Sequence, residues 1–425
     1  MKSLLIRNAR VIDPSQNLDE TMDIFIQDDV IQEVGRHLST NVDKIVEAHG
    51  LVAAPGFVDM HVHLRDPGFT QKEDLYSGCR AAAAGGVTSL LCMPNTNPAI
   101  DSPEVVIDLL KRAQQTDARV YVAGCITENL QSKELCDLKA LREAGAIALS
   151  DDGRPVENTA LLAEAMRMAP PLGMKVVAHC EDLFLARGGR MNEGQVSKKL
   201  GIPGIPAAAE DAGTAREIAL AAAYQVPIHI CHVSTATSAA LIRDAKRRGV
   251  QVTAETAPHY LLLTEEALEK RDADYRMNPP LRTEKDRMAM LEGLKDGTLD
   301  AIATDHAPHT PEEKSDFLRA PNGSIGMETS FAASYTALVK TGILTLPELV
   351  AKMSWNPAKI LGIPAGTLRK GAHADVVLLD EKEKWVVDPN ALHGKSRNTP
   401  FKGMELTGKV KYTICRGKIV YQDCM

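Results

Sequence analysis

The pentapeptide Asp59-Met60-His61-Val62-His63 closes an apolar run that begins at Leu51, and Leu64-Arg65-Asp66-Pro67-Gly68 follows at once. Side chains alternate faces along a strand, so His61 and His63 project together while Val62 points into the opposite layer. Two imidazoles on one face at a strand end make half of a site for a divalent metal, since imidazole suits zinc, iron, nickel and copper. Later apolar runs end in residues of matching chemistry: Asp151-Asp152-Gly153, His179-Cys180-Glu181-Asp182, His232, and Thr304-Asp305-His306-Ala307-Pro308-His309. Four histidines and two carboxylates gathered on one rim are the ingredients of a two-metal hydrolytic centre. Any one of these histidines alone reads as a structural residue; the chemistry lies in their joint placement at strand ends.

Such residues need a scaffold that brings many strand ends together. After residue 55, β-rich runs at 57–63, 88–93, 119–124, 146–150, 175–179, 228–232, 251–255 and 301–305 alternate with helix-length stretches such as 103–115, 161–168, 208–224 and 284–295. Eight strands separated by helices over about 250 residues predict a (β/α)8 TIM barrel, whose active site lies at the C-terminal strand ends. An open doubly wound sheet would need a Gly-rich turn after an early strand; Gly85-Gly86 precedes one instead. The ends of the chain read differently. Strand-like segments at 4–6, 23–26, 30–34 and 44–47, and again at 374–379, 384–387, 410–415 and 418–421, are broken by turn-forming residues. Neither set alone has strands enough for a core. We therefore expect residues 1–55 and 365–425 to combine into one small β-sandwich-like domain beside a barrel of residues 56–364.

With 425 residues, 44% of them apolar, the chain can bury a large core, and a net charge of −7 with both signs interspersed offers no basic surface for nucleic acid. The opening Met1-Lys2-Ser3-Leu4-Leu5-Ile6-Arg7 has too short an apolar run for a signal segment, and no stretch approaches a membrane span. The 8 cysteines (Cys79, Cys92, Cys125, Cys136, Cys180, Cys231, Cys415 and Cys424) are scattered singly, several in apolar runs. A reduced, cytoplasmic enzyme is the expectation.

The two sharpest motifs, Asp59-Met60-His61-Val62-His63-Leu64-Arg65-Asp66-Pro67-Gly68 and Ala303-Thr304-Asp305-His306-Ala307-Pro308-His309 with Lys314 beyond it, resemble those of the dihydroorotases, specifically the longer, free-standing bacterial type within the amidohydrolase superfamily. Cys92-Met93-Pro94-Asn95-Thr96, Cys231-His232-Val233-Ser234-Thr235, Met277-Asn278-Pro279-Pro280-Leu281-Arg282 and Lys395-Ser396-Arg397-Asn398-Thr399-Pro400 extend the resemblance over essentially the whole length. It implies a barrel with a composite β-domain, in agreement with the pattern of elements. It also implies reversible cyclisation of N-carbamoyl-L-aspartate to L-dihydroorotate in pyrimidine biosynthesis.

Carried over residue by residue, the resemblance implies two zinc ions per subunit. His61, His63 and Asp305 would hold the first, His179 and His232 the second, with Asp152 and a hydroxide between them. Many superfamily members bridge with a carboxylated lysine; this chain has Asp151-Asp152-Gly153 at the corresponding strand end. Strand parity alone does not choose between the neighbouring aspartates, and the dihydroorotase pattern selects Asp152, leaving Asp151 as a turn or cap carboxylate. Asp305 would be the catalytic base and acid. Arg65, Asn95 and His309 would hold the substrate carboxylate, and Asn278 with Asn322 and Gly323 the pyrimidine ring; His63 also counts among the substrate contacts. His229 and His306 alternate away from the site, Glu255 and His259 are near it without an assigned role, and 310–321 is a candidate lid. A homodimer and an association with aspartate transcarbamoylase are further implications. Two rival readings remain: an allantoinase or hydantoinase, which uses the same fold and metals, and an inactive homologue that scaffolds the transcarbamoylase.

Overall fold

The structure is a computed structural model that describes residues 3–423; Cys424 and the first two residues of the opening segment therefore lie outside the described residues. The eight parallel strands of its central sheet are Phe57–Val62, Val87–Cys92, Arg119–Gly124, Ala148–Leu149, Lys175–Ala178, Ile228–Ile230, Val252–Thr256 and Ala301–Ile302, each hydrogen-bonded to its sequence neighbours. Every residue of Phe57–Val62 and Val87–Cys92 is buried. Strands covered on both faces carry such continuous apolar runs.

The last and first strands meet where the chemistry is. Val62 and His306 form a parallel bridge, and the His63 amide donates to the His306 carbonyl at 2.8 Å. Below them Asp59 accepts from the Thr304 amide (3.1 Å) and the Thr304 hydroxyl (2.5 Å). This seam makes the sheet a barrel, and it sets His61 and His63 against Asp305 across some 240 residues of chain.

Helices wrap the outside, and several are begun by a capping side chain. Asp74 opens Leu75–Ala84 in a capping box with Ser77, Thr235 caps Ala236–Arg247, and Thr283 with Asp286 opens Glu284–Asp296. These side chains satisfy amide groups that the first helical turn leaves without partners.

Strands from both termini form a second sheet, in the order Lys418–Gln422, Glu405–Cys415, Val376–Val386, Val52–Pro55, Ser3–Asp13, Leu18–Gln27, Val30–Gly35, with Lys44–Glu47 beside Ser3–Asp13. Val52–Pro55 is the joint. It pairs parallel with the first strand and antiparallel with Val376–Val386, then runs directly into the barrel. Leu4, Ile6, Ile24, Ile26, Val376, Leu378 and Ile414 form this sheet's own apolar cluster. Arg119, at the start of a barrel strand, ties the two sheets together through Asp375 (2.7 Å) and Asp29 (2.5 Å).

The terminal strands are longer than the sequence suggests. Asn8 does not end the first one: it takes φ 58° in a bulge between Ile6 and Ala9, and the strand continues to Asp13. Likewise the segments at 374–379 and 384–387 are one strand, Val376–Val386, with a register shift between Asp380 and Lys384. A bulge absorbs the turn-forming residue that would otherwise mark a boundary.

Candidate active site

Of the residues singled out in the sequence, His63, Arg65, Asn95, Asp152, His179, His232, Asn278, Asp305, His309, Asn322 and Gly323 line one cavity of about 230 Å³ at the C-terminal end of the barrel. His61 lies directly behind it, fully buried.

Asp152 is at the centre. Its Oδ1 lies 3.3 Å from His61 Nε2, 3.6 Å from His179 Nδ1 and 3.7 Å from His232 Nε2, and its Oδ2 lies 3.4 Å from His63 Nε2. Asp305 Oδ1 approaches His63 Nε2 at 3.1 Å and His61 Nε2 at 3.6 Å. His179 Nδ1 and His232 Nε2 face each other at 2.9 Å. Asp151 turns the other way and accepts from the amides of Ile126 (2.7 Å) and Thr127 (3.1 Å). The neighbouring aspartates thus have separate tasks, one in the cavity and one holding a loop.

Burial alone would raise the Asp152 pKa, but the surrounding imidazoles, His61 foremost, hold it well below the usual carboxylate range. Burial likewise opposes ionisation of Asp305, yet the His63 hydrogen bond and the charges of His61, His63 and His232 bring it down to about 2. Several buried polar atoms here have no hydrogen-bond partner: both ring nitrogens of His61, Asp152 Oδ1, His232 Nδ1 and Glu255 Oε1. Such atoms are costly unless something satisfies them. His61 with Asp152 and His232, and His61 with His63 and Asp305, each offer three ligand atoms within 4.8 Å of one another. Nitrogen and carboxylate donors converging in this way fit divalent cations.

The backbone is bent to present these groups. Arg65 (φ 60°), His232 (φ 35°) and Asp305 (φ 49°) all occupy the left-handed region that non-glycine residues avoid. Strain of this kind collects at functional sites.

Arg65 is half-buried at the cavity wall, and its Nε donates to the Pro308 carbonyl at 3.1 Å. The carboxylates nearest in sequence are engaged elsewhere: Asp66 pairs with Arg112 at 2.8 Å, and Glu73 accepts the Lys395 amide. Burial lowers the Arg65 pKa to about 10, against the pull of Asp305, Asp152 and Glu313. His309 donates from Nε2 to the Asn322 carbonyl (2.9 Å), and its Nδ1 faces Lys72 Nζ at 3.4 Å. Burial, then the charges of Arg65, Lys314 and Lys72, push His309 down to about 2, so its ring is neutral. Gly323 (φ 136°) closes this corner, where a Cβ would come within 2.7 Å of the Ala307 side chain and 3.0 Å of His309. Asn398, from the Lys395–Pro400 motif, bonds the Ala307 and Gly323 carbonyls and so holds the two loops together.

Asn95, expected as a contact for the substrate carboxylate, lines the cavity and also contacts the cluster. Its Oδ1 accepts from His63 Nδ1 at 2.8 Å, and its Nδ2 lies 3.4 Å from Asp152 Oδ2. It thereby turns His63 Nε2 towards Asp305.

Three carboxylates with no expected role sit directly behind the imidazoles. Glu255 stands 3.3 Å from His61 Nδ1 and 3.2 Å from His229 Nε2, and burial is outweighed by the His229 and His61 partners, so its pKa falls to about 2. Glu181 reaches His179 Nε2, and Asp59 spans the seam beneath His61 and Asp305. Glu181 carried a sequence signal, since two residues from His179 is the same strand face, and Glu255 carried a weaker one as the last residue of a strand-like run. His259 is buried against the edge of Tyr260, and burial lowers it to about 4. The 310–321 segment is tied down by Lys314, whose ammonium donates to the carbonyls of Ala273 (3.0 Å), Arg276 (3.2 Å) and Pro321 (2.9 Å), and by the Lys72–Glu313 pair at 2.8 Å.

Comparison with known proteins agrees with this geometry. The sequence model of the Amidohydrolase family matches residues 52–420. The chain is 49% identical over 423 residues to a dihydroorotase of Geobacter metallireducens, covering 99% of this chain and 100% of that one. It is 47% identical over 422 residues to a dihydroorotase of Acetivibrio thermocellus, covering 99% of each. Among solved structures, an L-hydantoinase (dihydropyrimidinase) from Arthrobacter aurescens superposes with a TM-score of 0.88 at 24% identity, covering 99% of this chain and 96% of the other. A D-hydantoinase from Bacillus sp. AR9 gives 0.87 at 26% identity, with 99% and 95% covered.

Proposed function

We propose, from the premise that this chain belongs to the amidohydrolase family, that it is a dihydroorotase, interconverting N-carbamoyl-L-aspartate and L-dihydroorotate in pyrimidine biosynthesis. Full-length identity of 49% to a dihydroorotase outweighs the hydantoinase likeness, which carries the fold. The observation that carries the reading is the cavity itself, with a carboxylate–imidazole cluster on one wall and the half-buried Arg65 guanidinium, bonded to the Pro308 carbonyl, on the other.

In this reading His61, His63 and Asp305 would hold one divalent ion and His179 and His232 a second, and Asp152 would serve both. Its Oδ1 faces three of the imidazoles and its Oδ2 the fourth. Zinc suits this nitrogen-rich set, and when bound it would activate water and polarise the ring carbonyl oxygen. Asp305 moves the proton. In hydrolysis its carboxylate takes a proton from the attacking water and delivers it to the departing ring nitrogen. In cyclisation it removes one from the ureido nitrogen as the side-chain carboxyl of carbamoyl-aspartate loses water. Arg65 holds the carboxylate that takes no part in the reaction, with His309 and the Asn322–Gly323 turn shaping that corner. Asn95 is a further donor to that carboxylate while its Oδ1 supports His63, and Asn278 faces the ring.

Two outcomes test these assignments. Arg65 would grip the same carboxylate in ground and transition states, so Arg65→Met should act mainly on KM. A charge-assisted bidentate contact is worth about 1.5–3 kcal/mol, or roughly a 10- to 150-fold loss in kcat/KM. Steady-state kinetics with dihydroorotate read it; a collapse of kcat at unchanged KM would remove Arg65 from this role. Asp152→Ala should lower metal content and activity far more than Asp151→Ala, whose effect should appear as a lower melting temperature through the lost 126–127 loop contacts. The reverse order in metal analysis would move the bridge to Asp151.

Assay of metal-loaded protein with dihydroorotate, hydantoin and allantoin tests the whole proposal, which expects turnover of the first. No helix among the described residues is long and apolar enough to cross a membrane, and Cys79, Cys92, Cys125, Cys136, Cys180, Cys231 and Cys415 are buried free thiols. Both features suit the cytoplasm, which we propose as its location. The homodimer and the aspartate transcarbamoylase association rest on the resemblance, and light scattering with and without the transcarbamoylase reads both.

A further inference from the structure

Glu181 sits just behind the cavity wall, and one of its oxygens meets two groups with different tasks. Its Oε2 lies 3.2 Å from His179 Nε2 and 3.0 Å from Asn278 Nδ2. The far nitrogen of that imidazole, Nδ1, points at Asp152 Oδ1 (3.6 Å). The far end of that amide, Asn278 Oδ1, is buried without a hydrogen-bond partner in a residue that lines the cavity.

A carboxylate oxygen accepts and does not donate. The imidazole must therefore present Nε2–H to Glu181, which leaves the Nδ1 lone pair facing the other imidazoles and Asp152. The amide must present its NH2 group, which leaves Oδ1 facing the cavity. A side-chain amide is otherwise ambiguous, able to offer either a donor or an acceptor. Here its neighbour removes the choice.

We propose that Glu181 is a positioning residue that sets, through a single oxygen, both the tautomer of His179 and the orientation of Asn278, so that Asn278 reads an N–H group on the substrate. Both partners in the reaction carry one: the ring N–H of dihydroorotate and the ureido NH2 of carbamoyl-aspartate. A ligand offering a carbonyl at that point would face Oδ1 directly, and the site would reject it. This inference rests on the dihydroorotase reading for the identity of the N–H group. The ligand-orienting half depends only on the geometry.

A double-mutant cycle with two readouts tests it, using wild type, Glu181→Ala, Asn278→Ala and the double variant. The first readout is KM for dihydroorotate on zinc-loaded protein. The second is the dissociation constant for Zn²⁺, measured by competition with a chromophoric chelator, which needs no substrate. Glu181→Ala should raise KM about three- to tenfold in the wild-type background, the range for one neutral hydrogen bond. It should raise KM less than about twofold once Asn278 is already alanine, since the route to the substrate is then gone. Zinc affinity should fall about 10- to 100-fold in both backgrounds, because the His179 contact does not pass through Asn278. An equal KM effect with and without Asn278 would overturn the amide half, and unchanged zinc affinity would overturn the imidazole half. Should Glu181→Ala fail to fold, Glu181→Gln keeps the volume and carries the same cycle, with smaller changes of the same sign. Absence of dihydroorotate turnover in zinc-loaded wild type would defeat the functional reading instead, and the affinity measurement would still decide the role of Glu181 at His179.

Discussion

Chelation of divalent cations should abolish hydrolysis of dihydroorotate, and Zn²⁺, Co²⁺ or Mn²⁺ should restore it. Among the described residues the cavity lining includes no serine, threonine, cysteine or lysine; it offers imidazoles and carboxylates turned towards one another with several atoms unsatisfied. His179 and His232 face each other at 2.9 Å, and Asp152 lies among four imidazoles at 3.3–3.7 Å. His61→Ala and His63→Ala should each lose metal and activity together. The effect should exceed the roughly 10- to 100-fold that follows loss of an outer partner, because each removes a ligand itself. Metal analysis beside a rate measurement on the same sample is decisive. Full turnover in a rigorously metal-free preparation would defeat the proposed function.

The second large effect concerns Asp305. Asp305→Asn should lower kcat by a factor on the order of 10² or more, with KM little changed, because the amide keeps the shape and loses the proton acceptor. The substitution should also fold well. Residue 305 has φ 49°, and asparagine is among the few residues that tolerate the left-handed region. The pH profile gives a separate reading. The imidazoles hold the Asp305 carboxyl at about 2 against burial, so the base is ionised throughout the neutral range. Hydrolysis, which needs the ionised form, should lose rate only towards acid, on the low side of an ordinary aspartate near 3.9. Cyclisation starts from the same ionised base but takes up a proton overall, because the side-chain carboxylate of carbamoyl-aspartate must leave as water, so it should lose rate towards alkali. The acid limb of hydrolysis should be absent from the residual rate of the asparagine variant. Near-normal kcat for Asp305→Asn beside a collapsed kcat for Arg65→Met would mean the two roles are exchanged.

Much of the site is legible in the sequence, for a local reason. Alternation along a strand puts His61 and His63 on one face, and the repeated strand–helix pattern predicts a barrel that brings distant strand ends together. The structure does gather His61, His63, Asp152, His179, His232 and Asp305 at one end of it. What parity leaves open is the choice between Asp151 and Asp152. The fourth barrel strand is only Ala148–Leu149, too short to carry an alternation into the turn, and contacts with residues 126 and 127 decide which aspartate faces inward. The distant contacts of the outer carboxylates are beyond local pattern. Asp59 reaches Thr304, Glu255 reaches His61, and Glu181 reaches Asn278 across gaps of about a hundred residues or more. Residue types and short-range spacing determine which groups can do chemistry. Only closure of the barrel decides which carboxylate stands behind which imidazole, because those contacts form between strands that are neighbours in space and distant in the chain.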